Sequence, residues 1–365
     1  MGVPTVGQVR CWAGLDVHAA KVVAAVVDGE SGELSFRRLP GSTERVVEFC
    51  CGLPGPTSVA FEAGPTGFGL ARELEARGLS CLVAAPGKIA RAPQDRVKTD
   101  RRDAQRLVRL LMAGELHRVR VPSPEEEALR DLVRAREDLR GDLMRARHRV
   151  AKLLLRHERR FEGNNWTGRH REWLARVELD QPVAQTVLLD GVGAIDALLV
   201  RREALERQMA ELVPGSPWAE TVARLRCLRG IDTLSAFGLC AEIGDFGRFE
   251  RAEQLMSFLG LVPSEHSTGD KRRQGSITKS GSNHARRLLV EAAWHYRRAP
   301  RIGRELERRQ VGQRQDVIAI SWKAQQRLHR CWRRLDHERG KRRTIVAVAV
   351  ARELAGFCWA TATAD

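Results

Sequence analysis

The sequence lacks most of the features that mark secreted, zinc-binding or membrane proteins. Its eight cysteines are scattered, Cys50 and Cys51 form the only close pair, and no Cys/His spacing typical of a zinc site occurs. The longest apolar run, at residues 345–351, is far shorter than the about 20 residues that cross a bilayer. No secretory signal begins the chain. We therefore expect a cytoplasmic protein with no membrane partner, its thiols free and buried.

What the sequence has in excess is positive charge. Lysine and arginine number 62 against 46 aspartate and glutamate residues, which gives a net charge of +16 at pH 7. A GC-rich genome explains a preference for arginine over lysine, but it does not explain the excess of bases over acids. The balance predicts a polyanionic partner, most simply nucleic acid. With 365 residues, 43% of them hydrophobic, the chain is long enough for two or three packed domains.

Short strands and helices alternate in the first third of the chain. Glycine-bearing turns separate the first three apolar runs, which favours antiparallel hairpins. The predicted strands lie at residues 11–15, 22–27, 34–39, 58–61 and 80–84. The predicted helices lie at about 43–52, 67–76 and 103–112. Periodicity alone predicts an α/β domain, and the order of the elements is that of the ribonuclease H-like fold.

Four carboxylates in this region have the placement of a metal site. Asp16 and Glu62 each end a predicted strand, so both can project at the same edge of one sheet. Asp100 and Asp103 are three residues apart, which puts them on one face of a helix. Acids that converge from two strands and a helix suit Mg²⁺, which stabilises charge on a transferring phosphate. Each acid alone is weak evidence, because strand-end aspartates are common and paired aspartates often meet solvent or arginine.

The rest of the chain is mostly helical, and its middle allows two interpretations. A long amphipathic helix begins after Ser123, and further on apolar residues keep a 3/4 spacing from Ile195 to Leu212, broken by Arg202. This stripe belongs either to a coiled-coil arm that joins subunits or to an intramolecular helical hairpin. We predict a catalytic domain at 1–160, a helical linker at 161–215 and a mostly helical, basic C-terminal domain at 216–365.

The C-terminal part contains a turn that resembles a helix-hairpin-helix. Two apolar helical segments flank Gly230, and the amides of such a turn bind a DNA phosphate in helix-hairpin-helix proteins. An ordinary helical corner with a glycine cap explains the same residues equally well.

A loop at 266–273 combines hydroxyl groups with bases. Ser267 and Thr268 can each attack phosphorus and store the bond energy in a phosphoester, so that strand exchange needs no external energy source. The basic side chains predicted to clamp the scissile phosphate are those of Lys271, Arg272, Arg273 and Lys279. The simpler interpretation is a basic surface loop that only grips the backbone.

Taken together, these motifs resemble the insertion sequence 110 family of bacterial transposases, also called DEDD transposases, which include the Piv-type DNA invertases. At the front the resemblance lies in GLDVH (14–18), FEAGPTG (61–67) and KTDRRDA (98–104). At the back it lies in GLVPSEHSTG (260–269), QGSITKSG (274–281) and RRLLVEAAW (286–294). Each motif is moderately specific, whereas six in this order are strongly so.

The resemblance implies a fold, a cofactor and partners. It implies a RuvC-like, ribonuclease H-fold domain in which Asp16, Glu62, Asp100 and Asp103 bind Mg²⁺. It further implies a coiled-coil middle and a C-terminal transposase domain with a nucleophilic serine. Members of the family use a bridge RNA to pair with donor and target DNA, and they work as tetramers with composite active sites. The expected partners are therefore DNA, a bridge RNA and further copies of the chain, as a dimer or tetramer at the bacterial nucleoid.

One position departs from the family pattern. The attacking serine of the family stands immediately before the loop glycine, and here that place is Thr268, with Ser267 one residue earlier. Threonine has a hydroxyl of similar acidity on a more crowded carbon, so position favours Thr268 and chemistry favours Ser267. We predict that one of this pair is the nucleophile.

Three functions compete on these residues. The first is a site-specific DNA recombinase that mobilises an insertion sequence through a covalent phosphoseryl or phosphothreonyl intermediate. The second is a junction-resolvase-like nuclease that activates water and leaves the hydroxyl loop unexplained. The third is a non-catalytic nucleic-acid-binding protein, in which metal removal changes nothing but binding. The acids and the hydroxyl loop together favour the first.

Overall fold

The chain divides into two compact units. A computed structural model describes residues 9–90, 99–265 and 273–364. The first unit is Met1–Ser123 and the second is Pro124–Asp365. The three-part division at residues 160 and 215 concerns functional domains and stays a prediction.

The first unit is built on a five-stranded mixed sheet. Its strands are β1 (Cys11–Val17), β2 (Lys21–Asp28), β3 (Leu34–Pro40), β4 (Thr57–Glu62) and β5 (Ser80–Ala84). The strand order is β3-β2-β1-β4-β5, in which β1, β2 and β3 pair antiparallel while β4 and β5 run parallel to β1. The predicted hairpins are therefore confirmed, and the mixed sheet is consistent with a ribonuclease H-like domain.

Helices cover both faces of this sheet. On one face, α1 (Thr43–Cys51) and α2 (Gly69–Ala76) pack over a core of Leu15, Val59, Phe61 and their neighbours. On the other face lies α3 (Asp100–Met112), whose Ala104 and Val108 pack against β2. Helix α3 begins three residues earlier than predicted, because the Thr99 side chain caps the amide of Arg102 and the acids of the first turn favour a helix start.

The second unit begins with two long helices that pack side by side. Helix α4 (Pro124–Arg156) and helix α6 (Pro182–Leu212) are joined through the short α5 (Gly168–Leu174). Met209 shares a core with Leu129, and a methyl group at Gly191 would lie 2.8 Å from a methyl of Val150, so the two helices run antiparallel. The intramolecular hairpin is thus present, and a coiled-coil arm to another subunit stays a prediction.

The remainder of this unit is a mostly helical bundle with one small hairpin. Its helices are α7 (Ala219–Leu225), α8 (Thr233–Ile243), α9 (Ala252–Phe258), α10 (Asn283–Ala293), α11 (Arg304–Gln310), α12 (Gln315–Arg333) and α13 (Arg343–Ala362). Strands β6 (Pro263–Glu265) and β7 (Gln274–Ile277) pair antiparallel between α9 and α10. Trp332, Tyr296 and Phe237 are the largest fully buried side chains of this core. All eight cysteines of the chain are free and seven are buried, as predicted, with Cys51 exposed.

Two helices of the described residues are long and apolar enough to cross a membrane by length and composition, Pro182–Gly215 and Arg343–Ala362. This is weak evidence for a membrane, because the core helix of a soluble protein passes the same test, and much of α13 is buried in the core. Helix α6 differs, since it buries one side against α4 and exposes Val183, Leu189 and Val200.

Candidate active site

Side-chain alternation puts Asp16 and Glu62 on the same face of the sheet. Leu15 and Phe61 are paired across β1 and β4 and point into the core under α1 and α2. Their successors, Asp16 and Glu62, therefore point to the opposite face, where α3 lies. Asp16 is half-buried and Glu62 is exposed at the carboxyl end of β4. The register thus gathers the two strand-end acids that the sequence predicted.

A glycine in β1 lets α3 lie directly on the strand. A methyl group at Gly14 would come within 2.4 Å of the Ala104 carbonyl oxygen and 2.5 Å of the Val108 amide nitrogen, both in the α3 backbone. Such contacts are impossible, so only glycine permits this close approach. Because Thr99 caps the helix, Asp100 and Asp103 stand in the first turn of α3, beside the strand end that carries Asp16.

Three side chains meet at this point. Ligand atoms of Asp16, His18 and Asp100 lie within 4.8 Å of one another. The Nε2 atom of His18 is 3.2 Å from Oδ2 of Asp16 and 3.7 Å from Oδ1 of Asp100. The Lys21 ammonium donates to Oδ2 of Asp100. Sequence reasoning missed His18, in the β1–β2 turn, and Lys21, at the start of β2, although both follow Asp16 closely, and that proximity was the available signal.

The two carboxylates have opposite electrostatic surroundings. Burial raises the pKa of Asp16, the His18 imidazole opposes this shift, and the charges of Asp100 and Asp103 add to it. The hydrogen bond from Lys21 lowers the pKa of Asp100. Asp16 therefore gives up its proton less readily than an ordinary aspartate, and a cation beside it relieves both the burial and the repulsion.

The other two predicted ligands, Asp103 and Glu62, stand outside this group. Asp103 accepts a hydrogen bond of 2.8 Å from Arg106, and its side chain is 12% exposed. Among the described residues, neither Asp103 nor Glu62 belongs to the three-ligand group. Carboxylate oxygens are the ligands that a divalent cation such as Mg²⁺ takes, and the imidazole of His18 adds a nitrogen that suits other divalent metals. The donor set therefore fits a divalent metal.

The hydroxyl loop lies between β6 and β7 of the second unit. Ser267, Thr268, Lys271 and Arg272 lie outside the described residues. Arg273 is exposed immediately before β7. Lys279 is also exposed, its backbone is in the left-handed region at φ +57°, and its amide donates to the Gly260 carbonyl. The two described bases therefore stand at the end of the loop and just beyond β7.

The chain on either side of the β6–β7 hairpin is pinned together. A methyl group at Gly260 would lie 2.3 Å from the Ser280 carbonyl oxygen, and one at Gly281 would lie 2.1 Å from that of Phe258. The buried Arg286 donates to the carbonyls of Leu259, Ser280 and Gly281. We call these residues (Phe258 to Gly260, Ser280, Gly281 and Arg286) the hairpin clasp. Sequence reasoning missed Arg286, for which the arginine inside an apolar helical stripe was the available signal.

A charged cluster fixes the helix that carries Arg286. His284 of α10 lies between Glu137 of α4, at 3.6 Å, and Glu242 of α8, at 3.5 Å. Burial would raise the pKa of Glu242, but the neighbouring His284 imidazole and the hydrogen bonds from Arg134 outweigh it and lower that pKa to about 2. Arg287 donates to both carboxylate oxygens of Glu137. These pairs hold α10, and with it the clasp, against α4 and α8.

The predicted turn around Gly230 joins two helices, α7 and α8. Gly230 has a φ of +85°, and Asp232 caps α8 by accepting from the Ser235 amide. The turn packs against the Ala292 carbonyl at the end of α10. This geometry suits an ordinary helical corner and a helix-hairpin-helix alike, so the DNA contact at Gly230 stays a prediction.

Two separate parts of the chain match profiles of known transposase families. A family profile described as "Transposase IS116/IS110/IS902 family" matches residues 222–307, and an IS110-type DEDD profile described as "Transposase" matches residues 13–158. The first match contains the hairpin clasp and the second contains all four predicted acids.

Relatives that are similar over most of the chain bear similar names. The putative transposase y4qE of Sinorhizobium fredii is 43% identical over 359 residues, which cover 97% of this chain and 88% of the relative. A protein of Leptospira borgpetersenii named as the transposase for insertion sequence element IS1533 is 31% identical over 343 residues, 91% of this chain and 98% of that one. A probable family 20 transposase of Pseudomonas aeruginosa is 31% identical and spans 77% of this chain and 82% of its own.

Proposed function

The chain belongs to the IS116/IS110/IS902 family of insertion-sequence transposases, and on that premise we propose that it cuts and rejoins DNA by Mg²⁺-dependent transfer to a protein hydroxyl group. The observation that carries the proposal is the meeting of Asp16, His18 and Asp100 at the sheet edge. A purely nucleic-acid-binding protein has no use for carboxylates gathered on a strongly basic chain, because they repel phosphate.

Asp16 and Asp100 would hold the metal, with Glu62 and Asp103 as the flanking ligands. When bound, a divalent cation neutralises charge on the phosphoryl group and orients it for displacement. The half-buried Asp16 contributes a carboxylate whose burial and repulsion from Asp100 and Asp103 a bound cation would offset. Lys21 holds Asp100 ionised and in position through its hydrogen bond. His18 bridges the two carboxylates and limits their rotation.

The hydroxyl of Ser267 or Thr268 is the proposed nucleophile. Its oxygen forms a bond to the scissile phosphorus, the bond from phosphorus to a deoxyribose oxygen breaks, and the proton of the hydroxyl passes to that leaving oxygen. A deoxyribose hydroxyl of another strand then attacks the phosphoester and releases the side chain, so the number of phosphoester bonds is conserved. Lys271, Arg272, Arg273 and Lys279 stabilise the charge on the phosphorus centre.

The assembly is proposed to contain further copies of the chain and a bridge RNA. On the side of α6 away from α4, exposed apolar or small residues recur at spacings of four, four, three and four. They are Leu189, Gly193, Ala197, Val200 and Ala204. This spacing is typical of a coiled-coil seam and supports a contact with a second copy. The bridge RNA is inferred from the family resemblance, and the net charge of +16 supports it.

Plasmid cleavage by two matched amide variants tests the proposal. Asp16→Asn removes the central carboxylate charge, and Glu44→Gln makes the same change at an exposed position of α1. We expect Asp16→Asn to lose strand cleavage by at least about a thousandfold while its DNA affinity stays near that of the wild type. EDTA should stop cleavage by the wild type and by Glu44→Gln. Cleavage by Asp16→Asn at the wild-type rate would mean that the metal assignment is wrong.

A further inference from the structure

A cavity of about 210 Å³ lies at the far end of the α4–α6 pair, away from the hairpin clasp. Its apolar wall comes from the last turns of α4, and its other side is formed by Trp166 and His170. Lys152 and Arg160 stand at its rim and are exposed. We call this cavity the α4–α5 pocket. None of its lining residues belongs to the Asp16, His18 and Asp100 group or to the hairpin clasp.

The aromatic side of the pocket presents flat rings. The rings of Trp166 and His170 meet edge to face with centroids 5.0 Å apart. Phe161 and Trp173 pack around His170 on its other sides, at 5.0 Å and 5.5 Å. Rings fixed in this way form a preorganised surface on which an unstacked nucleobase can lie, since every base has a π face.

A buried polar atom in the pocket wall has no partner. His170 is 3% exposed, and its Nδ1 atom makes no hydrogen bond to any described residue. Burial lowers the pKa of this imidazole, so it is neutral at physiological pH and offers a donor or an acceptor. This nitrogen is shielded from the cavity, so His170 contributes its ring to the pocket wall and not a hydrogen bond to a ligand.

The backbone that presents these residues is strained. Trp166 has a φ of +67°, and Glu158, beside the rim, has a φ of +57°. Neither residue is glycine or asparagine, so each left-handed conformation is unfavourable for its side chain. Such strain persists where the surrounding structure holds a side chain in a required position, and here it places the Trp166 ring at the pocket.

The surroundings carry a strong positive charge. Residues 145–160 contain seven lysine and arginine residues and one glutamate. The Arg147 guanidinium lies 5.1 Å from the centre of the Trp166 ring, and its Nε atom is buried without a hydrogen bond to any described residue. Burial lowers the pKa of Arg147, and the nearby Arg202 and Arg171 add repulsion although they pair with Glu206 and Asp196. A phosphate nearby would relieve this repulsion.

We infer that the α4–α5 pocket receives an unpaired nucleotide, with its base against Trp166 and His170 and its phosphate held by Lys152 and Arg160. Two independent features separate this site from a simple aromatic core: an open cavity of about 210 Å³ and two exposed cations, Lys152 and Arg160, at its rim. The inference goes beyond the proposed strand transfer and rests on it only in taking nucleic acid as the partner. Single-stranded DNA and single-stranded RNA share the required chemistry.

Fluorescence anisotropy with labelled 12-nucleotide strands tests the pocket directly. We compare single-stranded DNA, single-stranded RNA and a DNA duplex, all in EDTA and in an Asp16→Asn background so that no cleavage occurs. Trp166→Leu removes the ring and keeps apolar contact, whereas Trp166→Phe keeps a ring. We expect Trp166→Leu to weaken binding of at least one single strand about tenfold, Trp166→Phe to weaken it much less, and duplex binding to stay unchanged. The strand that loses more affinity identifies the natural ligand.

A second pair of variants leaves the aromatic cluster unchanged, so a folding defect in that cluster does not explain their effect. Arg160→Ala removes one exposed charge at the pocket, and Arg201→Ala removes one from the exposed side of α6, ten residues beyond Gly191. Arg160→Ala should weaken single-strand binding several-fold more than Arg201→Ala. A strand with 5-bromouracil should crosslink to the peptide that contains Trp166. The inference would be overturned if none of the four variants changed the affinity for single-stranded DNA or single-stranded RNA. It would also be overturned if a variant lost affinity for single strands and for the duplex equally. Because metal is absent throughout, such a result leaves the proposed strand transfer standing.

Discussion

The acid cluster of the first unit (Asp16, His18 and Asp100) and the hairpin clasp of the second unit are both built from family motifs. The motif residues have different roles in the two regions. In the first unit the motif residues carry the chemistry themselves, since Asp16 and Asp100 approach each other through the same His18. In the second unit the described motif residues form a frame, in which Gly260, Gly281 and Arg286 hold backbone to backbone. A motif therefore marks either a ligand or the scaffold around one, and the structure separates the two.

We expect the largest effect from a substitution that disrupts the packing of α3 against β1 in the first unit. Gly14→Ala forces a methyl group into the α3 backbone, so we expect a loss of about 3 kcal/mol in the free energy of unfolding and displacement of Asp100 from Asp16. Metal affinity, measured by titration calorimetry, should fall together with cleavage. The matched control is Gly69→Ala, where nothing lies within 4 Å of the new methyl group. If both variants bind metal equally well, the close approach of α3 does not position the acids.

Arg286→Ala disrupts the hairpin clasp of the second unit. It removes the guanidinium that joins three carbonyls, and we expect about 2–3 kcal/mol lower stability in denaturant unfolding. Cleavage should fall because the chain on both sides of the hairpin is no longer pinned, while metal binding by the first unit stays intact. Arg304→Ala, an exposed position at the start of α11, should change stability by less than about 0.5 kcal/mol. Loss of metal binding in Arg286→Ala would contradict the separation of the two roles.

The free energy of unfolding, measured over a pH series, tests how Glu242 supports the hairpin clasp. The pKa of Glu242 is lowered to about 2 in the folded protein, so its contribution to stability is complete above its ordinary value and is lost as the pH falls toward 2. Glu242→Gln should therefore cost on the order of 2 kcal/mol at neutral pH, and the difference from wild type should narrow between about pH 5 and pH 3. Glu291→Gln, which breaks only an exposed pair with Arg287, is the control with a small effect. A difference that does not change with pH would refute the assigned cause.

The smallest effect is expected from Lys21→Met in the first region. Without the ammonium group the pKa of Asp100 rises, because its lowering depends first on the Lys21 hydrogen bond. Both carboxylates must be ionised to hold a cation, so metal affinity is lost on acidification, and in the variant this loss should begin at a higher pH. The shift is small because Asp16, whose pKa is already raised, protonates early in either protein. A metal-affinity profile between about pH 3 and pH 7, which includes the ordinary titration range of an aspartate, measures it, and an unchanged acid limb would argue against a role for Lys21.

The sequence predicts most of the first unit because strands and helices alternate along it and glycine-bearing turns separate its first three strands. It also predicts that Asp16 and Glu62 share a sheet edge, since parallel neighbours bring their carboxyl ends together. It does not predict His18 and Lys21, whose contacts depend on how the β1–β2 turn folds back toward α3. The clasp is likewise hidden, because Gly260 and Gly281 acquire their meaning only when Phe258 and Ser280 lie against them.

The most direct test of the central claim is to trap the protein on a radiolabelled DNA substrate and map the labelled peptide. Divalent metal should produce a covalent adduct on the peptide that contains Ser267 and Thr268, and Asp16→Asn should produce none. Ser267→Ala and Thr268→Ala then assign the oxygen. Metal-dependent cleavage with no adduct, and with solvent oxygen incorporated at the cut phosphate, would contradict the account and favour a hydrolytic nuclease.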